Sequence, residues 1–132
     1  MRIRSIRDII ERFRTNWSGY VREYRVLLIL TVLAALADGV STVYFMLLGG
    51  PEAEGHPAVR LVSMVLGPVF GPILGKLCQF AAVVALTVYL RRWAACIFVA
   101  VIVLYTWATW YNVWGCELYY PRLLEWLDRL AG

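Results

Sequence analysis

Asp38 and Lys76 are opposite charges set inside stretches that are otherwise apolar, and Lys76 is the only lysine in the chain. An ionisable side chain at membrane depth costs about 2.5–3.5 kcal/mol on insertion scales. Two such groups of opposite sign offset that cost by pairing, as a clamp that specifies the fold or as a site that handles protons or ions. Ser41 and Thr42 follow Asp38 at i+3 and i+4 and share its helix face. Gln79 lies one turn beyond Lys76. Glu54 and His56 fall in the loop between the two charged helices and are the loop candidates for the same group. Asp38, Glu54 and His56 would also make one His and two carboxylates, a plausible ligand set, although their spacing matches no specific metal motif and no metal is assigned.

These residues need helices to hold them. Residues 26–48 form an apolar run of about 23 residues, enough to cross ~30 Å of hydrocarbon. Gly49-Gly50-Pro51 ends it. Residues 57–90 as one helix would measure about 51 Å, too long for a single span. Gly67-Pro68 and Gly71-Pro72 supply a break, which predicts a short helix at 57–66, begun by Pro57 in its first turn, and a second span at 70–90. Arg91-Arg92 makes a tight turn, and 94–113 is the third span. Asp38 then lies about 15 Å, and Lys76 about 9 Å, from the same end of the bundle. The lysine stem covers the difference.

Both ends of the chain read as amphipathic helices. Over 3–24, Ile3, Ile6, Ile10, Phe13, Trp17, Tyr20 and Tyr24 recur at three- and four-residue steps, with Arg-rich positions between them. A basic face opposite an Ile/aromatic face is the pattern of an interfacial helix. Over 121–131, Leu123, Leu127 and Leu130 share one face. The expected fold is an all-α membrane protein: three transmembrane helices in one domain, flanked by two interfacial helices, with a short helix before the second span.

Composition agrees. The 132 residues are 61% hydrophobic and 17% charged, with a mean hydropathy of +0.66, too apolar for an ordinary soluble domain. The net charge is +4. Seven Arg against Asp8, Glu11 and Glu23 in residues 1–25 account for all of it. That basic segment runs straight into a span, which argues for a membrane surface and against nucleic acid. By the positive-inside rule, the N-terminal segment and the Arg91-Arg92 turn face the cytoplasm. The 49–60 loop and the C-terminus face outward. Cys78, Cys96 and Cys116 are widely spaced and suggest neither a zinc site nor a disulfide framework.

Gly71 and Gly75 make a G-x-x-x-G, extended by Cys78 and Ala82 into a small-residue stripe that lets helices approach closely. It serves packing within the chain or dimerisation. Tyr105, Trp107, Trp110, Tyr111 and Trp114 crowd one end of the third span. They read as an interfacial aromatic belt; the Trp107–Trp114 region as a pigment or quinone contact is the lesser alternative. No cofactor is expected beyond lipid contacts.

Asp38-x-x-Ser41-Thr42, then Glu54-x-His56-Pro57, then Lys76 resembles an uncharacterised family of small prokaryotic polytopic membrane proteins. Its pattern is an Asp…Ser/Thr-Thr helix followed by a Glu-x-Asn-Pro loop. His56 stands where that pattern has Asn. The resemblance covers about residues 30–90. It implies a prokaryotic cytoplasmic membrane and a fold with candidate residues, and no activity.

The chain therefore reads as a small non-catalytic membrane protein, an accessory or structural subunit of a larger membrane complex. Its expected partners are lipids and other membrane subunits. The alternative is a small oligomeric transporter or channel that uses the Asp38–Lys76 pair. No nucleophile–base pair or phosphate-binding loop supports an enzyme.

Overall fold

A computed structural model describes residues 6–115. Within them the elements are α1 (Ile6–Trp17), α2 (Tyr20–Glu23), α3 (Arg25–Gly49), α4 (Pro57–Tyr89) and α5 (Ala94–Trp110), joined by short 3₁₀ turns. A π-helical turn, Tyr111–Gly115, ends the described chain. Among the described residues, three helical stretches are long and apolar enough to cross a membrane: Arg25–Gly49, Pro57–Tyr89 and Arg91–Trp114. The molecule is an all-α membrane protein. The C-terminal helix expected over 121–131, with Leu123, Leu127 and Leu130, lies outside the described residues, as does Cys116.

The helix expected over 3–24 is two helices within the described residues. Gly19 breaks it at φ 73°, a left-handed conformation that costs glycine little. The break turns Tyr20 into the bundle, where it is fully buried. There it meets Val88 and Phe98 in a core at the Arg91 end. The rings of Tyr20, Tyr24 and Phe98 pack against one another in tilted pairs at centroid distances of 5.2–6.5 Å.

The second spanning element is bent back on itself. α4 is helical from 57 to 89 except at Gly67, which sits at φ 85°, ψ 173°. Residues eight apart on a straight helix are about 12 Å apart. Yet a Cβ added at Gly71 would collide with the Cα of Ser63, and one at Gly75 would lie 3.3 Å from Val59 Cγ2. The 57–66 leg therefore folds against the start of the long leg as a helical hairpin. Pro68 removes a donor that the break leaves unmatched anyway.

This hairpin changes the meaning of the small-residue stripe. Gly71 and Gly75 face the short leg of their own helix, and not α3 or α5. Cys78 continues the stripe but is exposed, and so is Ala82. Val59 also reaches α3, where it packs with Phe45 and Met46 in a second core at the Gly49 end.

Candidate functional site

α3 runs from the Arg91 end to the Gly49 end, the long leg of α4 runs back, and α5 rises beside α3. Asp38 stands 13 residues above Arg25, about 20 Å along the helix. Lys76 stands at a similar height above Tyr89. Helix pitch therefore sets the two charges level, and Gly39 faces the Lys76 stem: a Cβ there would make an ordinary contact with Lys76 Cγ at 3.7 Å.

Lys76 Nζ donates to Asp38 Oδ2 in a direct ion pair. Asp38 is 3% exposed, and the Lys76 side chain is 17% exposed, so the carboxylate is enclosed while the lysine stem borders the surface. The ammonium also lies 4.7 Å from the centre of the Tyr105 ring, a cation–π contact that gains strength when desolvated. Tyr105 in turn donates its hydroxyl to Gln79 Oε1 at 3.3 Å.

The other carboxylate oxygen faces α5. Asn112 Nδ2 reaches Ser41 Oγ at 3.1 Å, Thr42 Oγ1 at 3.3 Å and Asp38 Oδ1 at 3.5 Å. Ser41 sends its own proton to the Asp38 carbonyl at 3.0 Å, so its oxygen is the acceptor toward Asn112. An amide nitrogen carries two protons, and here three acceptors share them. The π-helical turn at Tyr111–Gly115 carries Asn112. Single π turns inside helices occur frequently at functional sites.

Glu54 and His56 are engaged locally. His56 caps α4: its Nδ1 accepts from Val59 N–H at 3.4 Å, and its backbone N–H donates to Glu54 Oε1 at 2.9 Å. Among the described residues, no three His, Cys, Asp or Glu side chains form a metal-binding group. Asp38, Glu54 and His56 are accordingly not gathered into one.

The site is thus Asp38, Ser41, Thr42, Lys76, Gln79, Tyr105 and Asn112. The sequence alone does not single out the last two for it. Tyr105 reads there as part of the aromatic belt, and Asn112 as an ordinary residue near a span end. Their signal is spacing: Tyr105 and Thr109 on α5 and Asn112 on the turn that follows recur at i, i+4 and i+7, the spacing of one helical face. Trp107, Trp110, Tyr111 and Trp114 do point outward.

Beside the ion pair, α3 and α4 leave a lateral groove of about 780 Å³, lined by Val32, Leu36, Val40, Ile73 and Phe80 among others, with Lys76 its one charged lining residue.

A second polar network closes the Arg91 end. Arg91 Nη1 donates to the carbonyls of Asn16 (2.8 Å) and Ser18 (2.9 Å), and Nη2 pairs with Glu23. Asn16 Nδ2 donates to the Val88 carbonyl at 2.8 Å, and Tyr24 donates to the Arg91 carbonyl at 3.1 Å. Thr87 gives its one proton to the carbonyls of its own helix, so Tyr20 is the donor in the Tyr20–Thr87 hydrogen bond. Burial holds the Tyr20 hydroxyl above its ordinary pKa. The Arg91 hydrogen bond holds the Glu23 carboxyl below its ordinary range. Side chains here satisfy the terminal carbonyls of α1 and α4, which helix ends otherwise leave open.

Comparison of the chain with protein-family models, with curated proteins and with solved structures found no match.

Proposed function

We propose that this membrane protein is a non-catalytic accessory or structural subunit of a larger membrane complex, with the Asp38–Lys76 pair as its internal clamp. One observation carries this reading: the charged groups of the site are closed on one another. Lys76 is held by Asp38 and Tyr105, and Asp38 by Lys76 and Asn112. A buried pair of this kind fixes register at little net gain in stability.

Outside that cluster the bundle is thin. The most apolar windows of its three spans bury 28%, 11% and 11% of their residues. Long apolar faces and the α3–α4 groove are left for lipid or neighbouring spans. We place the N-terminus and the Arg91 turn on the cytoplasmic side of a prokaryotic membrane and the C-terminus outside, from the arginine distribution and the family resemblance.

Purification in gentle detergent followed by native mass spectrometry tests the proposal. A subunit brings partners at fixed stoichiometry. A homo-oligomer with no partner contradicts it, and ion flux in vesicles lost with Asp38→Asn would favour the second reading, a small transporter. That reading is favoured by one feature: the groove brings the membrane interior to the stem of Lys76.

A further inference from the structure

We propose that α1 is a docking surface for anionic phospholipid headgroups, held at a fixed roll by the Arg91 network. This role is independent of any partner subunit.

Residues are sorted around α1 by the surroundings they suit. At 100° per residue, Ile6, Ile10 and Trp17 fall within about 40° of one another, and all are exposed. Asp8, Glu11 and Thr15 fall on the opposite side and line an open polar cleft with Arg12 and Asn16. Arg7 and Arg14 lie about 20° apart, between these two faces, and are exposed. The remaining side meets the bundle: Asn16 bonds to the α4 carbonyls and Arg12 lies 4.7 Å from the Tyr89 ring centre.

This arrangement suits one environment. With the bundle on one side, the Ile/Trp face turns toward the acyl region and the acidic face toward water. Arg7 and Arg14 then sit at headgroup level. The roll is locked, because Arg91 holds the carbonyls at the end of α1 and Asn16 holds α4. Charge is complementary as well. Among the described residues, this end carries seven Arg (7, 12, 14, 22, 25, 91 and 92) against Asp8, Glu11 and Glu23, whereas the Gly49 end carries Arg60 against Glu52 and Glu54. Such clusters beside a span attract anionic lipid.

The test uses the full chain in nanodiscs of phosphatidylcholine mixed with phosphatidylglycerol, with retained lipids counted by native mass spectrometry. Enrichment of phosphatidylglycerol is expected, and it should weaken as salt rises. Arg7→Gln with Arg14→Gln should reduce the enrichment, by up to about fivefold per arginine. Arg7→Lys with Arg14→Lys should retain it, and because that pair preserves charge it also controls for misfolding. Equal retention of both lipids, or enrichment unchanged by the Gln pair, overturns the proposal. So does capture of an acidic protein at α1 with no lipid preference.

Discussion

At the scale of single residues, the cluster around Asp38 sorts its contacts by strength. Asn112 serves three oxygens with two protons. Asn112→Leu leaves Ser41 and Thr42 hydroxyls and one carboxylate oxygen without that donor. Ser41 keeps its bond to the Asp38 carbonyl, so the loss expected in equilibrium unfolding from mixed micelles is about 1–3 kcal/mol, the cost of one buried acceptor left without its donor. Tyr105 separates two effects. Tyr105→Phe keeps the ring under Lys76 and removes only a 3.3 Å hydrogen bond to Gln79, with an expected cost of about 0.5–1.5 kcal/mol. Tyr105→Leu also removes the cation–π contact and should cost more, by up to about 2 kcal/mol. Equal costs for the two variants would show that the ring does nothing for the ammonium.

At the scale of elements, the hairpin within α4 is legible in the sequence only in part. Tandem Gly-Pro pairs announce a break, and it occurs at Gly67. What they do not show is that the chain reverses closely enough to bring Ser63 onto Gly71. Glycine spacing reports that a backbone comes near, and leaves open whose backbone it is. The same limit explains α1 and α2: the three- and four-residue apolar period runs through Gly19, because Phe13 before the break and Tyr20 and Tyr24 after it pack into one core. Asp38 and Lys76 are legible because charge in an apolar run is conspicuous. Asn112 is not, because one amide near a span end resembles ordinary interface composition.

The hairpin makes a graded prediction. Gly71→Ala drives a methyl into the Ser63 backbone, so the legs must part, at about 1–3 kcal/mol for overpacking. Gly75→Ala meets only the Val59 side chain, with Cγ2 nearest at 3.3 Å, and should cost less. Thermal unfolding of the two alanine variants makes the comparison, and an equal loss would argue against the close approach.

At the scale of the whole molecule, the Arg91 network ties the N-terminal helices to the turn between the second and third spans. Its pH dependence follows from Glu23. The Arg91 hydrogen bond lowers the Glu23 carboxyl pKa in the folded protein. The stabilisation is therefore complete above the ordinary glutamate value of about 4.3 and is lost as pH falls through the lower folded value. Hydrogen-exchange protection at the amides of 18–24, taken relative to the intrinsic exchange rate at each pH, should fall below about pH 4 and stay constant up to neutral pH. A loss of protection near neutrality would assign the network to another group. The proposed three-span topology predicts chain termini on opposite sides, which impermeant labelling of single cysteines at positions 5 and 131 in intact cells checks: one site should react from outside, and reaction at both or neither would mean a different number of spans.

Whether Asp38 and Lys76 form a structural clamp is measured most directly by a double-mutant cycle of unfolding free energies, with Asp38→Leu and Lys76→Met made singly and together. Each single change strands a charge at membrane depth and should cost about 3–5 kcal/mol. The double change removes both charges, and Asn112 keeps Ser41 and Thr42 as its two nearer acceptors. Most of the lost stability should therefore return. A double variant as unstable as either single one would contradict the clamp.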